Sequence, residues 1–155
     1  PLSSCENNER GLMPGKLTME EVESFLDSKP GWITLTSLGR DGYPHSVPIG
    51  YFRDKHRIFM GCRDKTQKVL NIERNPKVSL SLEDGKTMQD LRGVLLRGDA
   101  CVVRDDEERL TVSRLAAKLR GSPESDWPVT ASPGSVFIML EGFSVVSWDY
   151  SKPPS

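Results

Sequence analysis

A small antiparallel β-barrel decorated by helices is the architecture this sequence predicts, and three observations carry it. Apolar and polar residues alternate strictly in short runs such as Lys77-Val78-Ser79-Leu80-Ser81-Leu82, the pattern of a sheet with one wet face. Early runs are joined by turns too short for the crossover that parallel strands need. Three helical patterns are inserted between about six strands, which disfavours a doubly wound parallel sheet and favours a mainly β fold.

In chain order, residues 1–16 are polar and lack periodicity, and read as a flexible arm ahead of a single domain over 17–150 and a short tail over 151–155. Thr18 and Glu21 stand at capping-box spacing, and Val22, Phe25 and Leu26 recur with helical period until Lys29-Pro30-Gly31 stops the run. Residues 32–38, 43–52 and 57–62 follow as three strands of a meander, with turns at Gly39-Arg40-Asp41-Gly42 and at 53–56. Residues 66–74 form a short helix with Thr66 as N-cap and Asn75-Pro76 as its stop. Strands over 77–82 and 92–103 precede a helix opened by Asp105 and Glu108, whose Val112, Leu115, Ala116 and Leu119 form a core face, and Gly121 closes it. Pro123, Pro128 and Pro133 make 122–134 an irregular loop, and 135–148 returns to strand with a bend at Gly142.

Composition narrows the function classes. The 21 basic and 22 acidic residues nearly cancel, leaving no bulk field for a nucleic acid backbone or an anionic membrane. The longest apolar run, 136–140, is far too short to span a bilayer, residues 1–15 have no signal-peptide pattern, and the cytoplasm is the expected location. Cys5, Cys62 and Cys101 form no CxxC pair, and with only His45 and His56 as histidines neither a disulfide framework nor a metal site is expected. The short catalytic signatures of hydrolases, nucleotide-binding loops and zinc enzymes are absent, so any chemistry is expected to belong to a cofactor.

The conspicuous local feature is segment 53–68, where Arg53, Lys55, Arg57, Arg63, Lys65 and Lys68 face only Asp54 and Asp64. In its second half Arg63, Lys65, Thr66 and Lys68 lie between a strand end and a helix start. There backbone N–H groups, the helix dipole, a hydroxyl and ammonium groups can converge on a phosphate. Charge alone favours a plain solvated basic turn.

The order of motifs adds a second kind of information. Tyr43-Pro44-His45-Ser46-Val47-Pro48-Ile49-Gly50-Tyr51, then 58–62, then Thr66-Gln67-Lys68-Val69-Leu70-Asn71-Ile72-Glu73-Arg74-Asn75-Pro76, then Arg92-Gly93 onward and Ser147-Trp148-Asp149-Tyr150, resemble the pyridoxamine 5′-phosphate oxidase-like superfamily of FMN-binding split barrels. The most specific piece is Lys68-x-x-Asn71-Ile72-x-x-Asn75-Pro76. The resemblance implies a six-stranded split β-barrel, a homodimer, and a flavin-type cofactor in the dimer interface. By position, it implies that Ser46, Val47, Pro48, Ile49 and Tyr51 flank the ring and ribityl chain, and that Gly61 and Cys62 touch the ring edge. Thr66, Gln67 and Lys68 would hold the phosphate, Arg63 and Lys65 would stand beside it, and Arg92 and Gly93 would reach it from the second subunit.

The departures matter too. Pyridoxamine-phosphate oxidases carry Arg at the position of Ser46, Tyr-Thr at Gly61-Cys62 and a base at Gln67, so vitamin B6 oxidation is disfavoured. The chain is more similar to the short bacterial branch that uses FMN or a deazaflavin, coenzyme F420, while other branches bind haem. The expected function is therefore a flavin- or deazaflavin-dependent oxidoreductase exchanging hydride with a small organic substrate. The alternative from another class is a non-catalytic flavin or haem carrier or sensor. A module that has lost its ligand is disfavoured by Thr66 and Lys68.

Single residues have two readings each. His45 is either a packed, cofactor-adjacent imidazole or the one candidate for a catalytic proton donor. Cys62 is either a thiol with a lowered pKa or a small filler beneath the cofactor. Trp32, Trp127 and Trp148 read as core or interface aromatics, with Trp127 the candidate for a substrate-side lid. Arg40, Arg63 and Lys65 would serve the acidic tail of a deazaflavin, or be spare surface charge beside FMN.

Overall fold

The computed structural model describes residues 13–28 and 31–155. The helix stop at Lys29-Pro30, the arm over 1–12 and Cys5 lie outside them. Thr18 and Glu21 close the capping box reciprocally: the Thr18 N–H donates to Glu21 Oε2 at 2.8 Å, and the Glu21 N–H to Thr18 Oγ1 at 3.2 Å. They start α1 (Met19–Ser28), which buries Val22, Phe25 and Leu26. The strands are β1 (Trp32–Leu38), β2 (Pro44–Gly50), β3 (Phe52–Asp54) and β4 (Arg57–Arg63). Helix α2 (Gln67–Arg74), β5 (Lys77–Asp84), β6 (Arg92–Val103), α3 (Asp106–Leu119), a single 3-10 turn (Glu124–Asp126), β7 (Ser135–Glu141) and β8 (Ser144–Asp149) complete the chain.

All pairings are antiparallel, in the order β2-β1-β5-β6-β7-β4-β3, with β8 added on β6. The two end strands, β2 and β3, are consecutive in the chain and separated by Tyr51 alone, so the sheet curls until its ends meet. This is the split barrel, mainly β with inserted helices. Its interior is filled by the inward-facing alternation of Ile33 and Leu35, Ile58 and Met60, Leu80 and Leu82, Val94 and Leu96, and Ile138 and Leu140. Helix α3 covers the outer face of β4 and β7, and under it Phe59 is buried on the side opposite the barrel core and stacks on Phe52 at 5.2 Å.

Several expectations change. The meander of three strands is not formed: the run expected over 43–52 breaks at Tyr51, with β2 pairing β1 at one end of the sheet and β3 pairing β4 at the other. The run over 135–148 becomes two strands, because Gly142, at φ +68°, turns the chain from β7 onto the first half of β6. Local alternation is identical for one long strand and for two, so only the partners decide. Residues 13–16 are docked rather than free, since Gly15 forms a bridge to Asp149 with both N–H···O bonds, at 3.0 and 2.8 Å. Tail residue Lys152 likewise reaches Glu21 at 2.5 and 2.7 Å. On α3 the buried positions are Arg109, Val112, Ala116 and Ala117, and Leu119, expected in the core, is exposed past the edge of the sheet. Trp32 is also exposed, on the outer face of β1, whereas Trp127 and Trp148 are half-buried.

Gly93 shows why one glycine is needed. A Cβ there would lie 2.4 Å from Cζ2 of Trp148 and 2.9 Å from the Leu82 carbonyl oxygen, because the indole lies directly on the bare backbone. Gly93→Ala is therefore expected to cost about 1–3 kcal/mol by overpacking, read as a lowered urea midpoint with an unchanged slope.

Candidate functional site

Strand β4 ends at Arg63, and the chain turns through Asp64, Lys65 and Thr66 into α2. Lys65 takes φ +62°, its N–H donates to Asp64 Oδ1 at 2.7 Å, and the Asp64 N–H donates to the Gly134 carbonyl at 3.0 Å. Thr66 occupies the N-cap position but does not act as the expected cap. Its hydroxyl donates backwards to the Arg63 carbonyl at 3.1 Å, and no side chain accepts from the first turn of α2. The helix start thus presents uncapped N–H groups, an arrangement that suits an anion.

The charges around this turn are unevenly neutralised. Arg53 is held in a two-pronged pair by Asp27, and Arg57 pairs with Asp54, so two of the six basic residues of the segment are spoken for. Asp64 is bound at 2.7 Å by Arg104, whose remaining nitrogens grip Glu73 at 2.7 and 2.5 Å. That grip holds the Asp64 carboxyl below its usual range. Among the described residues no acid forms an ion pair with Arg63, Lys65 or Lys68. Three cations without an acid partner therefore stand in the turn and the first turn of the helix. Arg104 was not among the residues picked from the sequence, since nothing local marks an Arg after a strand as a clamp.

Cys62, half-buried, faces this group. Burial pushes its thiol up, while the nearby Lys68 ammonium and the Thr66 hydroxyl pull more weakly the other way. The lowered pKa weighed from sequence is thus corrected: the basic neighbours do not overcome desolvation, and Cys62 is a neutral filler.

On the other flank of α2, Gln67 and Asn71 line a groove of about 450 Å³ with Arg40, Tyr43 and His45. Asn71 is fully buried; its Oδ1 accepts from Gln67 Nε2 at 2.8 Å and its Nδ2 donates to the buried Ser37 Oγ at 3.1 Å. His45 pairs with Ser37 across β1 and β2, and its Nδ1 is buried without a hydrogen-bond partner. Such an orphaned nitrogen beside an uncapped helix start fits a site that completes its hydrogen bonding with a ligand.

The remaining positions named from the sequence are dispersed. Ile49 has its side chain in the barrel core, so that residue can offer a ligand only its backbone. Val47 is half-buried, whereas Ser46 and Pro48 are exposed on the outer sheet face, where Ser46 Oγ meets Thr36 Oγ1 at 2.7 Å. Tyr51 and Gly61 share a cleft beneath α3. The Tyr51 hydroxyl donates to the Leu26 carbonyl at 2.5 Å, and burial pushes its pKa up to about 12. Arg92 and Gly93 lie at the start of β6, paired with Asp84 and Asp149 and with Glu83 and Trp148. The Arg92 guanidinium stacks 4.8 Å over Phe25 and pairs with Asp84, so within one chain it does not join the α2 turn.

The neutral state of Cys62 has a measurable consequence. At pH 8.5 iodoacetamide is expected to alkylate Cys62 more slowly than a free cysteine, with the rate still climbing above pH 9. Peptide-resolved mass spectrometry after timed quenching reads this, and a rate equal to that of free cysteine would contradict it.

A family model described as pyridoxamine 5′-phosphate oxidase matches residues 18–133. None of the curated proteins matches the chain. Among solved structures, the conserved hypothetical protein Rv2991 from Mycobacterium tuberculosis is 27% identical, with a TM-score of 0.74 over 91% of this chain and 89% of that one. An F420 reductase is 24% identical, with a TM-score of 0.56 over 79% of this chain and 94% of its own. HutZ, a heme storage protein from Vibrio cholerae, is 14% identical, with a TM-score of 0.65 over 86% and 98%. The last two likenesses show the fold. The family match covers the barrel from α1 to the end of the 122–134 loop, and the chain belongs to the pyridoxamine 5′-phosphate oxidase family.

Proposed function

We propose that this chain is an oxidoreductase that holds FMN or a deazaflavin by its phosphate at the turn between β4 and α2 and passes hydride between that cofactor and a small organic substrate. The observation that carries the reading is the uncapped start of α2 set among Arg63, Lys65 and Lys68, none of them tied up by an acid among the described residues. When bound, the isoalloxazine or deazaflavin ring supplies the hydride chemistry. The chain's own part is binding and orientation. Lys68 and the first-turn N–H groups meet the phosphate, Thr66 shapes the turn, and the neutral Cys62 packs without adding charge. His45 Nδ1 is the one buried side-chain nitrogen without a hydrogen-bond partner among the described residues, and it is the group best placed to bond a ligand or to hand on a proton.

Two features bear on the choice of cofactor. Arg40 lies in the groove beyond Gln67, and Arg63 and Lys65 stand exposed before α2, so positive charge continues past the phosphate position on both sides. An FMN phosphate ends where this charge begins, whereas the acidic tail of coenzyme F420 would run along it; the likeness to an F420 reductase supports the same choice.

A homodimer completes the reading. The outer face of β1, β2, β5, β6 and β8 exposes Trp32 and Val146 among hydroxyl-bearing Thr34, Thr36, Ser46 and Ser79, a face suited to a second copy. Arg92 and Gly93, remote from the α2 turn of their own chain, would then approach the partner's site.

The absorption spectrum and mass of the copurifying molecule test the cofactor directly. Stirring the loaded protein with a nicotinamide donor and an acceptor separates an oxidoreductase from a carrier, which would show no turnover. Lys68→Ala is expected to weaken cofactor binding by about 1.5–3 kcal/mol, the range for a hydrogen bond to a charged group, with the fold intact. Arg63→Ala and Lys65→Ala are expected to weaken F420 binding in a salt-sensitive way and to leave FMN nearly unchanged; equal losses for both would favour FMN. Sedimentation at micromolar concentration is expected to give a dimer, and a compact monomer would remove the shared site.

A further inference from the structure

Helix α3 covers one row of the outer sheet face unevenly. Phe59 on β4 stands opposite Met139 on β7, and Met139 stands opposite Cys101 on β6, so the three side chains share one face of the sheet. Phe59 is buried, Met139 is half-buried and Cys101 is exposed. The cover fades toward β6, and between this row and the N-terminal half of α3 runs a groove of about 850 Å³. Buried Val103 and Val112 complete its apolar floor. The size is that of a small-ligand site. The groove shares no lining residue with the α2 turn, with the groove holding His45, or with the cleft over Tyr51 and Gly61.

The charges on its walls are neutralised on one side only. The cation on the wall, Arg57, is paired with Asp54 at 2.6 Å and lies 5.1 Å over the Phe59 ring. In the first turn of α3, Asp106 is taken by Arg109 at 2.6 Å. Asp105 Oδ2 accepts from the Glu107 and Glu108 N–H groups at 3.1 Å each. The Glu107 and Glu108 carboxylates themselves stand exposed on the groove wall and form no ion pair among the described residues. A helix start favours acids wherever it lies; these two differ in overlooking an apolar floor. Their field registers on that floor, since burial and then the carboxylates of Glu108 and Glu141 push the Cys101 thiol up and keep it protonated.

We propose that the groove between the N-terminal half of α3 and the β7–β6 face is a binding site for a small primary amine with an apolar body, the body lying on Met139 and Cys101 and the ammonium held by Glu107 and Glu108. Unpaired carboxylates call for a cation, and the apolar floor favours one carrying hydrocarbon over a bare ion. A quaternary ammonium is a poorer fit. Such a cation binds through aromatic faces, and the Phe59 ring is buried with Arg57 over it, so recognition has to come from N–H bonds to the carboxylates. The site stands on this groove alone and does not depend on the cofactor.

The test is a titration of the purified protein with n-octylammonium chloride, read by ligand-observed NMR, with octyltrimethylammonium, 1-octanol and octanoate as controls. Octylammonium is expected to bind most tightly and octanoate least. The double substitution Glu107→Gln with Glu108→Gln is expected to raise the octylammonium Kd about fivefold, the effect of losing two exposed ion pairs, and to leave 1-octanol unchanged. Thr111→Trp, at an exposed helix position on the groove wall, is expected to abolish binding of both, with circular dichroism confirming the fold. Location is read separately: saturating octylammonium is expected to slow alkylation of Cys101 by iodoacetamide and to leave Cys62 unchanged, as resolved by peptide mass spectrometry. No octylammonium binding, equal binding of 1-octanol or octyltrimethylammonium, indifference to the double substitution or to Thr111→Trp, or an unprotected Cys101 overturns the site. Tighter binding of an N-acetyl-Leu-Lys-Leu amide peptide than of octylammonium overturns the small-amine assignment in favour of a protein's lysine.

Discussion

Strand β6 is the constraint on which the rest of the structure depends, because it belongs to two parts of the sheet at once. Its first half, from Arg92 to Arg97, lies between β5 and β8; from Ala100 to Val103 it pairs with β7 instead. The change of partner happens around Gly98, where a Cβ would sit 3.0 Å from Leu140 Cδ1 and where the inward-facing rows of the two parts meet. A twelve-residue strand that stayed with one set of partners would give an open sheet with two exposed edges. By switching, β6 lets the ends carrying β2 and β3 come together at Tyr51, and the barrel closes around one core.

The same strand places the candidate site. Where β6 ends, Arg104 reaches back to Asp64 in the turn after β4 and to Glu73 in the last turn of α2, bracketing the phosphate-binding candidate from both sides. Arg109, almost fully buried one turn into α3, donates to the carbonyls of Arg104, Ser132 and Ser135 and so joins the strand end to the loop before β7. The Asp64 N–H then bonds Gly134 in that loop. Positive charge at the helix start is thus left unpaired by construction: the acids that might have cancelled it are occupied by arginines that serve the frame.

A second link runs through the interior. Asn71 ties Gln67 to Ser37 and so fastens α2 to β1, while Asn75 accepts from the Lys77 N–H and ends the helix at the start of β5. These two asparagines are the specific part of the Lys68-x-x-Asn71-x-x-x-Asn75 motif, and in this structure they do structural work. A buried amide with both ends bonded positions the first turn of α2 more firmly than apolar packing would, since misplacing it leaves polar groups unpaired. The only member of the motif that is free to meet a ligand is Lys68.

Local pattern was enough for much of this. The capping box at Thr18 and Glu21, the period-two strands, the α2 segment with its Asn75-Pro76 stop, and the cationic excess at Arg63, Lys65 and Lys68 are all statements about neighbours in sequence, and they were legible because short-range sterics and hydrogen bonding produce them. What the chain order could not contain was partnership. Whether 43–52 is one strand or two depends on β1 and β4 standing at opposite ends of the sheet, whether Thr66 caps its helix depends on where the Arg63 carbonyl points, and whether Cys62 is acidic or neutral depends on how deeply it is buried. Arg104 and Ser37 gained their roles from groups 31 to 40 residues away. Sequence alone determined the helices, the strand-forming runs and the sign of the charge at the turn; tertiary structure decided where the runs at Tyr51 and Gly142 divide into two strands, which charges remain unpaired and which side chains share a cavity, because desolvation and pairing are properties of the folded surroundings and not of the chain.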